Sequence, residues 1–89
     1  MATVVATHAV GNMETWLAGG AERTAVFAAF CKSHRIFRHP DGAAVAVVFE
    51  GVDLAKMREV LGSAEAAASK ARHTVIEPVQ LYVEVEGGS

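Results

Sequence analysis

Two short segments of this chain consist mainly of small and branched apolar residues, and they constrain its fold more than any other feature. The first segment, residues 3–10, is followed by Gly11. The second segment, residues 43–50, comes after the turn Pro40-Asp41-Gly42. Both are rich in Val and Ala and too short for typical helices, which favours β-strands. A strand with one face in solvent alternates apolar and polar residues, and these two do not. We therefore predict two central strands that are covered on both faces.

Three residues of the kind that cap helices predict where the helices begin. Asn12, Asp53 and Ser63 can each accept a hydrogen bond from the first turn of a following helix. The pair Gly19-Gly20 breaks or kinks the first helix, because glycine lowers helix stability by about 1 kcal/mol relative to Ala. The expected helical ranges are 13–18, a resumed segment over 21–30, 54–61 and 64–72.

The remaining segments predict two further strands. Residues 32–38 alternate and lead through the turn at 39–42 into the second apolar segment, which indicates a hairpin. Pro78 is expected to open the last strand, over 79–86, where apolar and polar residues also alternate. The order β-α-β-β-α-β predicts an α+β, ferredoxin-like fold with a four-stranded antiparallel sheet. The 89 residues suit one domain, residues 1–89.

Small side chains dominate the apolar residues and point to a partner subunit. The chain has 17 Ala and 13 Val. A domain of this size buries only roughly 60% of its unfolded surface, so it is marginally stable alone. We expect a homodimer in which a second sheet covers the free face of the central strands.

Charge and composition argue against several classes of protein. Eight Lys and Arg against ten Asp and Glu give a net charge of −2, which does not suit nucleic acid or an anionic membrane surface. The segment 43–50 has one aromatic and no basic residue, unlike the third strand of an RNA-recognition domain. Cys31 cannot form an internal disulfide, and neither a signal peptide nor a membrane span of about 18 apolar residues is readable. A cytoplasmic protein is expected.

Three stretches resemble the dimeric α/β-barrel superfamily. They are Thr7-His8-Ala9-Val10 leading into Met13-Glu14-Thr15-Trp16, residues 32–41 entering the hairpin, and Val47-Val48-Phe49-Glu50. The chain is similar over residues 3–86 to small antibiotic-biosynthesis-monooxygenase-like and stress-responsive barrel proteins. This resemblance implies two ferredoxin-like sheets packed face to face. It leaves the function open, because these barrels include cofactor-free oxygenases, cyclases, lactone isomerases, haem-degrading enzymes and many proteins of unknown activity.

The residues of two subgroups match only in part. The haem-degrading members have an Asn on the first strand, where this chain has Thr7-His8, and a Trp on the third strand, where it has Phe49. Only His73 corresponds loosely to their helix histidine. The quinone-forming oxygenases use an Asn, a Trp and a Tyr, and Asn12, Trp16 and Tyr82 supply those residue types. Through this resemblance Tyr82 becomes a candidate substrate contact.

His8 and His34 are the candidate catalytic residues. His8 lies within an apolar strand on the face of Ala6 and Val10, where an imidazole could accept and return a proton near neutral pH. The alternative is a structural His bonded to neighbouring backbone. His34 and Arg35 point to opposite faces of the second strand, so one of them shares a face with His8. Arg35 is a candidate for binding a substrate oxygen, or it protects an edge strand by its charge.

Trp16 and Phe49 are the candidate walls of a small-molecule pocket, where an aromatic ring could stack on a planar ligand or simply fill the core. The four histidines do not have the spacing of a metal site, so we expect no metal. The resemblance to cofactor-free barrel enzymes implies that no organic cofactor is needed either. The resemblance, with His8 as a candidate acid/base, implies a cofactor-independent enzyme of secondary or aromatic metabolism, an oxygenase, cyclase or isomerase. The alternative is a barrel that binds an apolar or aromatic ligand without catalysis.

Overall fold

The computed structural model describes residues 2–85, which form four strands and four helices. In chain order they are β1 (Ala2–Val10), α1 (Met13–Ala18), α2 (Gly20–Phe27), β2 (Ser33–Arg38), β3 (Ala44–Val52), α3 (Leu54–Leu61), α4 (Ala64–Arg72) and β4 (Val75–Val83). The strands form one antiparallel sheet in the order β2-β3-β1-β4. This is the predicted α+β, ferredoxin-like fold, with the two apolar segments as its central strands.

The three predicted capping residues each begin a helix. The Asn12 side chain accepts a hydrogen bond from the Thr15 amide at 3.0 Å. Asp53 accepts one from the Lys56 amide, and Ser63 one from the Ala66 amide, both at 3.1 Å. These bonds satisfy amides that have no partner within the helix. The helix starts predicted from these caps are therefore confirmed.

The helices cover one face of the sheet, here called the inner face. It carries Val4, Ala6, His8 and Val10 of β1 and Val45, Val47 and Phe49 of β3. The apolar members of this set are all buried and pack with Trp16, Phe27, Phe30 and Met57 from the helical layer. Alternation along each strand places the inner-face residues in one core.

The opposite side of the sheet, here called the outer face, has no helix against it in residues 2–85. Cross-strand pairing gives it three rows: Arg35, Val48, Val5 and Tyr82; Phe37, Ala46, Thr7 and Gln80; and Ala44, Ala9 and Ile76. Phe37, Ile76 and Tyr82 are about half exposed. The outer face is thus partly apolar and open to solvent in a single chain.

Four predicted boundaries differ clearly from the structure. α2 ends at Phe27 rather than near 30, and β3 extends to Val52. β4 begins at Val75 and ends at Val83, so the predictions that Pro78 opens the last strand and that this strand continues through 84 and 85 are wrong; residue 86 lies outside the described residues. Pro78 is accommodated inside β4 because β4 is an edge strand, where a missing amide donor need not break a pairing.

The pairing of β1 with β4 changes register beside His8. Thr7 pairs with Gln80 and Ala9 with Ile76, so four steps along β4 span two steps along β1. The pairing of β1 with β3 is regular over the same stretch. Irregularities of this type redirect side chains and are common next to functional sites. Within residues 2–85, no helix is long and apolar enough to cross a membrane.

Candidate active-site cavity

A cavity of about 280 Å³ lies between the helical layer and the inner face of the sheet. All four helices and strands β1, β3 and β4 contribute to its lining. The lining residues are Ala6, His8, Trp16, Arg23, Val26, Phe27, Val47, Phe49, Leu61, Ala66, Ser69, Lys70, His73, Val75, Glu77, Val79 and Leu81. The cavity is therefore largely apolar with a few polar groups, the usual composition of a small-molecule site.

His8 lies at the register change of the sheet and lines the cavity. Its Nδ1 atom is 2.9 Å from the carbonyl oxygen of Ala9, and a carbonyl can only accept, so Nδ1 carries the hydrogen in this bond. The ring also meets Trp16 edge-on, with centroids 5.9 Å apart. No residue in 2–85 forms a hydrogen bond with Nε2, which holds the lone pair of this tautomer. His8 thus presents an oriented basic nitrogen.

Aromatic rings form the apolar wall of the cavity. Phe27 packs edge-to-face on Phe49, with centroids 4.7 Å apart and planes at 88°. Trp16 of α1 is fully buried and also lines the cavity. Such rings offer a planar ligand a rigid contact surface.

Arg23 and Trp16 form a stacked pair at the helical side of the cavity. The guanidinium carbon of Arg23 lies 3.7 Å from the Trp16 ring centroid, a cation–π contact. Arg23 Nη1 also donates to Nδ1 of His73 at 3.3 Å. Burial lowers the pKa of Arg23, since it disfavours the charged form. The pair holds a cation in an apolar setting.

His73 connects this pair to a carboxylate. Its Nε2 lies 2.6 Å from Oε2 of Glu22, so Nε2 donates while Nδ1 accepts from Arg23. The other oxygen of Glu22 accepts from Arg72. The hydrogen bond from Arg72 holds the pKa of Glu22 below its ordinary value, with smaller contributions from His73 and against a raising effect of desolvation. The result is a network that ties α2 to the end of α4.

A second ion pair lies on the β4 side of the cavity. Lys70 Nζ is 2.9 Å from Oε1 of Glu77, and the other Glu77 oxygen accepts from the Val79 amide at 3.1 Å. The Lys70 hydrogen bond is the largest cause of a lowered Glu77 pKa, with the Val79 amide second and His8 contributing least. Glu77 is therefore a paired carboxylate close to His8.

Gly19 makes room for His73. A Cβ atom at this position would lie 2.3 Å from Nε2 of His73, far inside van der Waals contact. The glycine at the junction of α1 and α2 thus allows the His73 ring to reach Glu22 and Arg23.

Three of the predicted site residues line the cavity and three do not. His8, Trp16 and Phe49 meet there. His34 lies on the inner face but packs edge-on against Phe27, with centroids 5.1 Å apart, away from the lining. Arg35 and Tyr82 share the outer face: Arg35 pairs with Glu50 at 3.3 Å, and the Tyr82 hydroxyl donates to Gln80 at 3.2 Å. Their predicted contacts with substrate gain no support from these positions.

Sequence reasoning missed the polar groups on the helical side. Arg23, Glu22 and His73 meet although 50 residues separate Arg23 from His73, and helix periodicity does not predict such a meeting. The one available signal was Gly19-Gly20, a costly pair inside a helical pattern, which here marks a close approach. No group of three or more potential ligands in residues 2–85 is arranged to hold a metal ion.

The fold has counterparts among solved structures, although the sequence matches no protein-family model and no curated protein. A Bordetella bronchiseptica protein provisionally named an antibiotic biosynthesis monooxygenase superposes with a TM-score of 0.74 at 19% identity, over 96% of this chain and 95% of that one. SnoaB, a cofactor-independent oxygenase from Streptomyces nogalater, gives 0.65 at 16% identity, over 96% and 92%. A third structure, of an antibiotic biosynthesis monooxygenase, gives 0.61 at 10% identity, over 96% and 97%. At these identities the likeness establishes the antibiotic-biosynthesis-monooxygenase-like fold of this chain, and function is a separate question.

Proposed function

We propose that this chain is a cofactor-independent enzyme that transfers a proton to or from a small planar substrate, with His8 as the general acid/base. The observation that carries the proposal is an imidazole in a largely apolar cavity, held through Nδ1 by the Ala9 carbonyl, with no hydrogen bond to Nε2 from residues 2–85. A fixed basic nitrogen facing a bound molecule is the first requirement of general-base catalysis.

The surrounding residues suit a substrate that forms an enolate or phenolate. Removal of a proton from an acidic C–H or O–H leaves negative charge on an oxygen, and cationic groups near the cavity stabilise that charge. Arg23 and Lys70 are the cationic lining residues. Oxygenases, cyclases and isomerases that work without a cofactor share this proton-removal step, so the proposal covers all three reaction types.

The relationship to SnoaB supports the proposal at the level of the scaffold. That protein is named a cofactor-independent oxygenase and shares this fold over almost the whole chain. One fold hosts many reactions, so the weight rests on the cavity of this chain and on His8.

A non-catalytic ligand-binding protein is the second candidate. It is favoured by the ion pairs that the two acidic residues near the cavity form. Both carboxylates near the cavity, Glu22 and Glu77, are held by cationic partners, and neither contacts His8 through a hydrogen bond. A binding protein needs only the apolar walls. Turnover or proton exchange with a bound probe separates the two candidates.

We further propose that the chain works as a homodimer that pairs the two outer faces. The support is the half-exposed Phe37, Ile76 and Tyr82 on a sheet face that no described element covers. Monomers rarely leave a wide apolar sheet face in solvent. Sedimentation at micromolar concentration should give twice the chain mass of 9.4 kDa; a stable monomer would refute the dimer.

The test of proton transfer uses exchange rather than an unknown reaction. The bicyclic ketone 2-tetralone has acidic α-protons, and their replacement by deuterium in D₂O is followed by proton NMR. The wild-type protein should accelerate exchange above the buffer rate. His8→Ala should lose about 10²–10⁴-fold of that acceleration, with a stability change within about 0.5–3 kcal/mol.

His34→Ala is the matched control, because His34 lies on the same face of the sheet but outside the cavity lining. It should retain the wild-type exchange rate. A His8→Ala protein that melts much earlier yet exchanges at full rate when folded would assign His8 a structural role. Tight probe binding without any acceleration in the wild type would instead favour the binding protein.

A further inference from the structure

We propose that the cavity takes a planar ligand bearing a negatively charged oxygen, and that the guanidinium of Arg23 binds this oxygen. The assignment rests on the proposed function, because it names the substrate class of the same cavity. It concerns binding of the ligand and is independent of what His8 does to it.

Arg23 is a buried cation that forms no ion pair with a carboxylate of residues 2–85, although Glu22 acts on it through space and raises its pKa against the larger lowering effect of burial. Its side chain lines the cavity and the residue is only 7% exposed. Four of the five ion pairs within residues 2–85 join a Lys or Arg to a carboxylate, and Arg23 belongs to none of the five. Arg is rarely this buried unless it is paired, because removing a charge from water is costly.

The carboxylates near Arg23 are already engaged. Glu22, its neighbour in sequence, uses one oxygen for Arg72 and the other for His73. Glu77, across the cavity, uses one oxygen for Lys70 and the other for the Val79 amide. Both acids of this region therefore neutralise other groups, and the charge of Arg23 is left for a molecule that enters the cavity.

The N–H groups of Arg23 and Trp16 also outnumber the acceptors that residues 2–85 offer them. Within residues 2–85 Arg23 donates one hydrogen bond, to His73, although a guanidinium has five N–H groups. Its Nε and the Nε1 of Trp16 are both buried, and neither has an acceptor among the residues that the structure describes. Buried donors are almost always satisfied in proteins, so two orphaned donors on one stacked pair indicate an acceptor supplied from outside the chain.

The contacts that Arg23 does make orient it without neutralising it. Trp16 stacks on the guanidinium at 3.7 Å, and the His73 Nδ1 atom accepts one of its hydrogens. A ring face and a neutral acceptor fix the plane of the guanidinium, and its remaining N–H groups keep the geometry that matches a carboxylate or an enolate oxygen. The cavity of about 280 Å³ is at the small end of ligand sites, which suits one or two fused rings.

The test compares two probes that differ in charge and hardly in shape, 2-naphthoate and 2-naphthamide. Binding is measured by NMR titration of the wild-type protein, following the methyl groups of Ala6 and Val47, which line the cavity. Both probes should shift these signals. Naphthoate should bind at least roughly 10-fold more tightly, as expected for a charge-assisted hydrogen bond in place of a neutral one.

Arg23→Gln should remove this preference, leaving the two probes equal within about threefold, while Arg35→Gln should keep it. Arg35 is the matched control because it is an Arg on the outer face that does not line the cavity. If Arg23→Gln does not fold, Arg23→Met serves for the same comparison, since its long apolar chain still packs on Trp16.

Three results would overturn the assignment. Equal binding of the two probes by the wild type would refute it while leaving a small-molecule cavity in place. A naphthoate preference that survives in the folded Arg23 variant would show that another group binds the charge. Failure of both probes to shift the cavity methyls would refute the assignment and the proposed function together.

Discussion

The two faces of the sheet are built from the same strands and have similar apolar content, yet they differ in what covers them. On the inner face Val4, Val47 and Phe49 are at most 3% exposed under the helices. On the outer face Val5 and Val48 are only partly buried, and Tyr82 is 56% exposed. The comparison teaches that a strand with apolar residues on both faces predicts a packing layer on each face of the sheet. In this fold a single chain supplies only the helical layer on the inner face.

The largest expected effect comes from placing the same charge on each face in turn. Val47→Asp buries an unpaired carboxylate in the core and should cost more than about 4 kcal/mol, enough to unfold most of a marginally stable domain. Val48→Asp, one residue further on, should leave a folded chain but prevent the proposed pairing of two outer faces. Circular dichroism and sedimentation of the two variants check this. A Val48→Asp protein that sediments like a dimeric wild type would contradict the role of the outer face.

An intermediate loss of stability is expected from a substitution at Gly19, where α1 and α2 meet in the helical layer that covers the inner face. Gly19→Ala places a Cβ within 2.3 Å of the present position of His73 Nε2, so the buried ring must move and its bonds to Glu22 and Arg23 are disturbed. Overpacking of this kind costs about 1–3 kcal/mol. Chemical denaturation measures it. Gly62→Ala is a less crowded control glycine at a helix end, where the nearest contact of an added Cβ is 3.1 Å, and it should cost less.

The smallest expected effect is a pH dependence of the stability that the Glu22 network provides, where it joins α2 to the end of α4. Because the pKa of Glu22 is lowered in the folded protein, mainly by Arg72, the ionised carboxylate stabilises the fold. This contribution is complete above about pH 4.3, the ordinary Glu value, and is lost as the pH falls through the lowered folded pKa. Thermal melts of Glu22→Gln should therefore show a weaker acid dependence below that pH than the wild type. Glu84→Gln, at an exposed position, should melt like the wild type, and identical acid profiles for all three would contradict the network.

Most of the fold could be predicted from the sequence because its signals are local. Asn12, Asp53 and Ser63 bond to amides three residues away, and strand alternation fixes which side chains share a face. The start of β4 at Val75 was missed because Pro78 is a strand breaker in general, and only its place at the sheet edge makes it tolerable.

The candidate site was predictable in part. Counting along β1 assigned His8 to the face of Ala6 and Val10, and counting along β3 assigned Phe49 to the face of Val45 and Val47. Trp16 was a candidate because it is a large ring early in α1, and it lines the cavity. The meeting of Arg23, Glu22 and His73 depends on how α2 and the end of α4 pack, which involves contacts between residues 50 positions apart. Apart from the Gly19-Gly20 pair, local patterns carry no information about such contacts, so the cationic side of the cavity became visible only in the folded chain.

The register change between β1 and β4 has a consequence for how this protein can vary. Beside His8 the pairing of β1 with β3 is regular, whereas four steps along β4 span two steps along β1. Regular pairing would place a single residue of β4 opposite His8, whereas three residues, 77–79, lie between the flanking pairs. These three residues belong to an edge strand of the sheet. A residue gained or lost there would change the cavity wall at Glu77 and Val79 without shifting the central strands. This short segment is therefore where a change in chain length reshapes the cavity while the central pairing of β1 with β3 stays as it is.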